Sequence, residues 1–397
     1  MNSLTIAQIQ AANKPGLTLP FSTGGVSRSD DQSPLTTSYS FTISQRLPFF
    51  SSLLEASYVG NQSKYGLNQN GVGTNINVVP FGTLFNKGFN PSNQNSNNCG
   101  PNGMGSGNQP CPSEYTFAPY PTYQAINIAN HNIYSNYNAL QISWVRQKGN
   151  YDIAFNYTYS KALGLVGGNQ LDLTYDYGAE PFDRRHLFNA AYSIELPKMV
   201  HNNKVAEGVV NGWQISGITS VQSGVNLTGN SNGGNFNATA NISGLTVQNA
   251  YSSSISTYSI NGTDQIEVMP MLTCDPRKNL GKNQFLNGSC FAIPTVPGQN
   301  GPTVLPEFFG PWFWTSDLSL FKNFQMNERK KFQFRFSAYN FMNHPLWSFS
   351  GIGVGSSDLN LNFGPSGTGQ TQTNSGFGVT PIKIGNRIIQ LSLKFYF

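Results

Sequence analysis

The chain has 397 residues and a formal net charge of +5, with 10% charged and 13% aromatic residues. Soluble domains carry about 25% charged residues, so this composition argues against an ordinary cytosolic enzyme. The sparse positive charge forms no basic stripe, and we therefore expect no nucleic-acid partner. No stretch approaches the roughly 18 consecutive apolar residues of a membrane helix, so a membrane role would have to depend on strands.

The N-terminal segment carries no recognisable export signal. The sequence "MNSLTIAQIQAANKPGL" lacks the basic start, the apolar core and the small-residue cleavage site of a secretory signal peptide. Because the features described below point to an exported protein, we expect this chain to be a fragment of a longer one.

Strict alternation of apolar and polar residues recurs along the chain and predicts β-strands. In "YDIAFNYTYSK", for example, Tyr151, Phe155 and Tyr157 point to one face, while Asp152 and Asn156 point to the other. This pattern predicts nine strands, at residues 37–47, 52–61, 135–147, 150–162, 184–197, 211–228, 314–326, 331–342 and 387–397.

The links between these strands are grossly unequal in length. Short links lie near Pro48, at 148–150 and at 327–331, and an intermediate link at 197–211 falls on the same side. The long links are 62–133, 163–183, 229–313 and 343–386. Outer-membrane barrels show this asymmetry, with short periplasmic turns and long extracellular loops, and their tilted strands need about 9–11 residues. We therefore predict an all-β fold, an antiparallel transmembrane β-barrel wall.

The predicted strands number nine, which is an odd count. Bacterial single-chain barrels have even strand counts, so an odd count indicates a partial barrel. Residues 1–36 would then be the remnant of an extracellular loop.

A soluble β-sandwich would also show alternation, so the direction in which each strand face points needs a separate prediction. We expect one set of aromatic side chains to face lipid and Asn156, Asn189 and Arg335 to face the lumen. The lipid-facing set is Tyr151, Phe155, Tyr157, Phe188, Tyr192, Phe332, Phe334 and Phe336.

The four cysteines fall into two local pairs, Cys99 with Cys111 and Cys274 with Cys290, each within a long Gly/Asn-rich link. Their spacings fit no metal or redox motif, which favours two loop disulfides in an oxidising compartment. Free thiols are the alternative.

No sequence motif indicates catalysis or a cofactor. The common hydrolase, metalloprotease and nucleotide-binding patterns are absent, and the four histidines have no paired ligand at metal spacing. The cluster Asp183, Arg184, Arg185 and His186 could be catalytic or anion-binding, but its position where an extracellular loop enters a strand favours a charged rim or lumen network. We expect no enzymatic activity, no cofactor and no metal.

Aromatic residues cluster at two further places. Trp312 and Trp314 stand at a strand entrance, where amphipathic rings form the interfacial girdle of a barrel. One long link contains Tyr115, Phe117, Tyr120 and Tyr123, for which ligand contact is an alternative to a structural role.

The final strand, "RIIQLSLKFYF", resembles the C-terminal insertion signal of outer-membrane proteins, which the barrel-assembly machinery reads. Its apolar face and terminal aromatic carry the resemblance, at Ile389, Leu391, Leu393, Phe395 and Phe397. An ordinary amphipathic final strand is the alternative.

A series of segments resembles the C-terminal barrel of Oar-like TonB-dependent transporters, in the order of that family and over most of residues 38–397. The segments are "SYSFTISQRLPFFSSLLEASYVGN", "NYNALQISWVRQKGNYDIAFNYTYSKAL", "FDRRHLFNAAYSIELP", "NGWQISGITSVQSG", "SDLSLFKNF" and "FQFRFSAYNFMNHPLW". The resemblance implies that residues 37–397 are the C-terminal part of a TonB-dependent-receptor-like β-barrel. The family's signal peptide, TonB-contacting motif and plug domain have no counterpart here.

The resemblance also implies a function, namely part of a TonB-dependent receptor or transporter that binds and imports a large nutrient such as a metal chelate, glycan or peptide. The expected location is the outer membrane of a Gram-negative-type bacterium. The expected partners are outer-membrane lipid, the barrel-assembly machinery, an unknown ligand, and TonB only through a missing plug domain. The alternative is a passive porin-like or adhesin-type surface protein. An outer-membrane hydrolase would need lumen-edge acid and base pairs that the sequence does not show.

Overall fold

Nine long strands form one continuous antiparallel sheet, which we call the wall. The structure, a computed structural model, describes residues 23–68, 74–83, 117–120, 123, 125–165, 176–180, 182–201, 203–227, 237–242, 261–263, 269–294, 298–302, 306–326, 330–349, 359–363, 372 and 374–397. Each wall strand pairs with its neighbours in the chain. The strands are Leu35–Leu47 (β1), Ser52–Leu67 (β2), His131–Lys148 (β3), Tyr151–Leu165 (β4), His186–Glu195 (β5), Trp213–Gln222 (β6), Phe313–Gln325 (β7), Lys331–Tyr339 (β8) and Ile388–Tyr396 (β9).

This architecture confirms the predicted all-β, antiparallel barrel-wall fold, and each of the nine predicted strands is present. A tenth, short strand, Tyr177–Ala179, pairs with the loop-side end of β4. Within the described residues, β1 and β9 have a neighbour on one side only. The wall therefore has two unpaired edges.

Three strand ends differ most from the prediction. β2 extends beyond residue 61, and β3 starts before residue 135. Backbone pairing between them continues past the polar run Asn61–Lys64, with a register shift at Tyr65, whose φ is +58°. β6 ends at Gln222 instead of 228. A Cβ at Gly224 would lie 1.9 Å from the carbonyl oxygen of Gly310, so a close backbone approach diverts the chain there.

The short and long links lie on opposite sides of the wall, as predicted. The short-turn side carries the links at 48–51, 149–150, 196–212 and 326–330. The loop side carries the links at 68–130, 166–185, 223–312 and 340–387. The 196–212 link contains a short helix, Lys204–Val210 (α1), which the sequence pattern did not predict. Asn203 caps α1 by accepting hydrogen bonds from the backbone N–H groups of Val205 and Ala206.

Short elements build up the loop side. Thr23–Val26 pairs in parallel with Ile126–Ala129, which also pairs with Thr74–Asn75, so residues 23–26 lie among the long links. The other short strands are Asn237–Ile242, Met271–Leu272, Phe291–Ala292, Leu346–Ser348, Asn360–Phe363 and Ile382–Ile384. Two 3-10 turns, Phe49–Ser51 and Gly288–Cys290, complete the described elements. No described helix is both long and apolar enough to cross a membrane.

The strand register divides the wall into an apolar face and a polar face. Directly paired residues point to the same side of a sheet. The pair Tyr157 with Phe188 joins β4 to β5, and the pair Leu320 with Phe336 joins β7 to β8. Following the register places all eight aromatic residues predicted to face lipid on one face. Asn156, Asn189 and Arg335 lie on the other.

The apolar face has no covering layer within the described residues. Phe41 and Leu393 are 66% and 67% exposed, although a soluble sandwich would bury such side chains against a second sheet. The main hydrophobic cluster lies instead in the long links, and we call it the loop core. It consists of Leu227, Leu286, Phe291, Ile293, Phe308, Leu359, Leu361, Phe363 and Phe377. The wall therefore presents a broad apolar surface that needs a non-aqueous neighbour.

Polar groups bound the apolar face at both ends. Near the loop side, the hydroxyl groups of Tyr39 and Tyr58 both donate to Asn138, at 2.8 and 2.9 Å. Near the short-turn side, Lys322 is 2% exposed, and its ammonium group donates to the carbonyl of Asn211. A lysine that extends its charge past an apolar surface to a polar group is typical of a membrane boundary.

Candidate functional site on the loop side

An ion-pair network joins the wall to a long link, and we call it the rim network. Arg185, which directly precedes β5, places Nε 3.1 Å from Oδ2 of Asp183 and also pairs with Glu307 from the 223–312 link. Lys161 of β4 lies 3.0 Å from the other oxygen of Glu307. The backbone N–H of Ala162 donates to Asp183 at 2.8 Å. These contacts fix the 223–312 link on β4 and β5.

The electrostatics of the rim network are those of a structural cluster. Burial raises the pKa of the Asp183 carboxyl, opposed by the Ala162 N–H and the positive charge of Arg185. Burial also lowers the pKa of Arg184, whose guanidinium donates to the carbonyl of Asp183. The charges are thus engaged with one another, which leaves no nucleophile and base pair among these groups.

His186, the fourth member of the sequence cluster, points elsewhere. Its Nδ1 lies 2.8 Å from the hydroxyl of Tyr157, and its ring stacks on Trp312 at 5.8 Å. The sequence cluster therefore separates into a rim ion pair and an aromatic contact on the apolar side. Glu307 and Lys161 were missed because they come from distant segments, and no local spacing signals them.

A cleft of about 580 Å³ lies beside the rim network, lined by Lys161, Leu163, Tyr177, Gly178, Ala179, Arg277, Pro306, Glu307 and Phe309. The one lysine and the one arginine in its lining are both paired with carboxylates. Lys161 pairs with Glu307, and Arg277 pairs with Asp275 at 2.8 Å. Hydrogen bonds from Arg277 lower the pKa of the Asp275 carboxyl. The cleft is therefore close to electroneutral and is not a strong ion-binding site.

A second cavity, of about 420 Å³, lies between the loop-side ends of β2 and β3. We call it the β2–β3 cavity, and it is lined by Gln62, Ser63, Lys64, Tyr65, His131, Asn132, Ile133, Tyr134, Ser135 and Asn136. The rings of Tyr134 and Tyr177 stack at 5.2 Å, and Asn136 donates to the Tyr177 hydroxyl. His131 lies 2.6 Å from Asp30.

The loop core and a disulfide make two long links into a folded unit, which we call the loop module. Phe291 packs edge-to-face against Phe308 and Phe377, with ring centroids 6.4 and 5.5 Å apart. Cys274 and Cys290, predicted to pair, are bonded in the structure, with Cα atoms 4.9 Å apart. The other predicted pair, Cys99 and Cys111, lies outside the described residues.

The aromatic loop residues that are described have structural contacts. Buried Asn77 donates to the carbonyls of Tyr120 and Tyr123, at 3.0 and 2.9 Å, and Phe117 packs on a small cluster around Val79. Tyr115 lies outside the described residues. Ligand contact by this loop stays a prediction.

The predicted girdle tryptophans lie where a girdle would place them. Trp314 pairs with Val221 on the apolar face, and Trp312 follows the same parity just before β7, both at the loop-side end of that face. Their role in the membrane interface stays a prediction.

The predicted insertion-signal residues share the apolar face of the edge strand β9, as Ile389, Leu391, Leu393 and Phe395. Phe397 is 93% exposed and stacks on Phe395 at 5.9 Å. Their recognition by assembly machinery stays a prediction.

The part of the chain that the structure describes contains no cluster of metal ligands. No group of three or more His, Cys, Asp or Glu side chains there could hold an ion.

An antiparallel wall with one uncovered apolar face, one polar face and unequal links defines the class of outer-membrane β-barrels. Residues 2–390 match the family described as "Outer membrane beta barrel domain", and the chain belongs to that family. A comparison with curated proteins gave no match. One similar solved structure is the closed form of the ferric-catecholate import receptor Fiu from E. coli K12, at 9% identity and a TM-score of 0.38. That alignment covers 96% of this chain and 31% of the Fiu chain, so this chain spans about a third of that length.

Proposed function

We propose that this chain forms part of the barrel wall of a TonB-dependent-type transporter of the Oar-like kind, which binds a large nutrient on its loop side and imports it. The observation that carries the proposal is the nine-stranded wall with two unpaired edges. In hydrocarbon, each unsatisfied backbone group costs several kcal/mol, so further strands should close the sheet. A wide barrel with a separate plug domain, as in these transporters, would supply them.

The polar face of the wall supports a water-filled interior. Cross-strand hydrogen bonds between small polar side chains repeat along it. They join Ser220 to Asn189 at 2.7 Å, Ser319 to Ser337 at 2.8 Å and Gln333 to Asn323 at 3.0 Å. We propose that this face lines the lumen, that the apolar face contacts outer-membrane lipid, and that assembly machinery recognises β9 and Phe397.

The loop side supports ligand capture without catalysis. The loop side offers two cavities, one beside the rim network and one between the ends of β2 and β3, whereas the acidic and basic groups of the rim network are paired with each other. We therefore propose a binding role and no enzymatic one. TonB contact would depend on a plug domain.

Two experiments test the proposal. Residues 1–397 are first expressed behind a signal peptide and examined for a heat-modifiable barrel in the outer-membrane fraction. We expect no closed barrel, because the two edges of the wall remain unpaired. A closed barrel formed from this chain alone would overturn the proposal that the wall is partial.

The second experiment uses the complete native polypeptide in cells with and without TonB. Uptake of labelled ferric chelates, oligosaccharides and peptides is compared between the two strains. We expect uptake of one class to require TonB and to stop when a protonophore is added. Uptake that persists without TonB would favour a passive porin-like protein, and adhesion without uptake would favour an adhesin.

A further inference from the structure

We propose that the β2–β3 cavity binds a saccharide, an inference that rests on the proposed placement of the apolar face in lipid and of the loop side outside the cell. The volume of about 420 Å³ lies within the range of small-molecule pockets, about 300–1,000 Å³. The side chains that line the cavity are mainly amides, hydroxyls and tyrosine rings.

The β2–β3 cavity carries little charge and presents a mainly apolar surface, which favours a neutral ligand that offers an apolar face. None of its ten described lining residues is acidic, and Lys64 is the single lysine or arginine among them. The one histidine, His131, is already paired with Asp30. An anionic metal chelate would call for several cationic groups, which this lining does not offer.

The lining offers the two kinds of contact that a sugar makes, namely hydrogen bonds to its hydroxyl groups and packing against its C–H face. Amides of Gln62, Asn132 and Asn136 can both donate and accept, as hydroxyl groups require. Tyr65 and Tyr134 are exposed and provide aromatic surface for the C–H face of a sugar. These two features occur together within one cavity.

Asn132 supplies an independent indication of a missing partner. Its side-chain oxygen is shielded from solvent and accepts no hydrogen bond from the described residues. Such an atom is destabilising unless a donor reaches it. A ligand hydroxyl, met by a small rotation of the amide, would supply that donor.

The position of the cavity identifies two sources for the sugar. Gln62 and Asn136 pair in register and share the face of Tyr58 and Leu140, just beyond the hydrogen bonds made by Asn138. The cavity therefore lies on the outward face directly beyond the apolar band. A sugar at this level is either a free oligosaccharide or the headgroup of an outer-leaflet glycolipid.

The test measures saccharide binding by the complete native polypeptide displayed on cells. The soluble probes are the neutral fluorescent oligosaccharides maltohexaose and cellohexaose. The membrane probe is a neutral glycolipid, diglucosyl diacylglycerol, in phosphatidylethanolamine vesicles, with retention on the purified protein measured by mass spectrometry. A labelled peptide pool serves as the competing ligand class.

Four variants separate the cavity from the rest of the loop side. Tyr134→Leu and Asn132→Ala should each weaken binding roughly tenfold, the effect of losing one good contact. Tyr134→Phe keeps the ring and should retain binding. Phe182→Leu changes an exposed loop-side aromatic residue outside the cavity and should leave binding unchanged. Because a variant can fail to fold, the folded fraction of each variant is measured by its heat-modifiable mobility, and binding is compared at equal amounts of folded protein.

Binding of a soluble probe supports the inference with a free glycan as ligand. Retention of the glycolipid without binding of a soluble probe supports it with a glycolipid headgroup, provided that Tyr134→Leu and Asn132→Ala weaken the retention. Binding of the peptide pool alone, or saccharide binding that Tyr134→Leu and Asn132→Ala leave intact, overturns it, as does the absence of any saccharide binding by the unaltered protein. TonB-dependent uptake is measured on the same cells. Its loss with intact saccharide binding would count against the proposed transport function and not against this site.

Discussion

Two glycines of the apolar face lie directly beneath tyrosine rings. A Cβ at Gly60 would lie 2.2 Å from the ring of Tyr39, and a Cβ at Gly217 would lie 2.5 Å from the hydroxyl oxygen of Tyr192. Gly217 is the less adaptable position, because the backbone oxygen of Asp317 would also lie 2.7 Å away. Aromatic rings that cover strand glycines restore packing on a sheet surface. Each glycine therefore provides the space for a ring.

We predict that Gly217→Ala destabilises the wall by about 1–3 kcal/mol, the usual penalty for overpacking, because the Asp317 backbone cannot move aside as a side chain could. The urea midpoint of unfolding, followed by heat-modifiable gel mobility of the complete protein, measures the change. Gly208→Ala in α1, where an added Cβ meets nothing within 4 Å, is the matched control. Equal midpoints for the two variants would contradict this account of Gly217.

Asp183 is the titratable residue whose surroundings matter most to the rim. Its carboxyl is 1% exposed and depends on Arg185 as its nearest cation. Removing one partner of a buried ion pair costs about 3–5 kcal/mol, since the remaining charge stays buried. Arg185→Ala should therefore loosen the 223–312 link at neutral pH.

The pH dependence of the Arg185→Ala variant gives the sharper test. Burial raises the pKa of Asp183, so the folded state binds a proton more readily than the unfolded state does. Stability should therefore fall as the pH rises from the ordinary pKa of an aspartate towards the raised pKa of Asp183 in the folded state, and it should recover as the pH is lowered back through that range. Protease resistance of the loop side, measured from about pH 4 to 8, should show this recovery at the low-pH end. The double variant with Asp183→Asn should lose this dependence, and a flat profile for Arg185→Ala alone would refute the argument.

The loop module is the element that differs most from an ordinary loop. The disulfide of Cys274 with Cys290 closes a segment of 16 residues, and chain-entropy arguments give about 3 kcal/mol for a loop of that size. Hydrogen bonding between Thr273 and Cys290 continues the short hairpin beside it. The module should therefore depend on oxidation, whereas the wall should not.

We predict that replacing Cys274 and Cys290 together by Ser makes the loop side sensitive to external protease while the wall keeps its heat-modifiable mobility. Limited proteolysis of intact cells, followed by gel analysis, measures both properties. Ser289→Ala, next to the disulfide, is the control for local sequence change. Loss of the wall in the double variant would show that the module and the wall fold as one unit.

The wall elements were predictable because their side chains carry a local signal. Alternation in β4, β5 and β8 fixed their faces without knowledge of partners, since the period of a strand is two. The extension of β2 was not predictable, because Asn61–Lys64 carry no apolar alternation. The loop core was missed for a different reason. Leu227, Phe308 and Phe377 come from distant segments, and neither their spacing nor their neighbours indicate that they meet.

The site was predictable to a smaller extent than the fold. Arg185 was singled out, but its partner Glu307 lies 122 residues away in the sequence, and pairing over that distance leaves no local pattern. The β2–β3 cavity likewise depends on the bulge at Tyr65, where φ is +58° in a non-glycine residue. Sequence alone therefore indicated the loop side as functional but not where its cavities lie.

For the molecule as a whole, the central question is which face of the wall meets lipid. The apolar positions of β4 run from Tyr151 to Tyr159, nine residues, which matches the roughly 9–11 residues of a tilted spanning strand. Phe155 lies near the middle of this band, and its neighbour Asn156 points to the opposite face. The two residues provide a matched pair.

We predict that Phe155→Arg destabilises the assembled barrel by about 2–4 kcal/mol, the cost of an arginine at the bilayer midplane, whereas Asn156→Arg has a small effect. The complete protein is compared in lipid vesicles by urea titration of its heat-modifiable form. A larger loss of stability in Asn156→Arg than in Phe155→Arg would show that the polar face is the one that meets lipid. Similar large losses for both would indicate that each face is packed against protein.

The loop core also constrains the order of events during assembly. Its residues come from the 223–312 and 340–387 links, which lie before β7 and after β8, so the hairpin of β7 and β8 separates the two halves in the chain. The disulfide joins residues within one link and can form as soon as that link is made. The core instead requires both links to have crossed to the same side. Closure of the core should therefore be a late step, completed only after the β7–β8 hairpin has inserted.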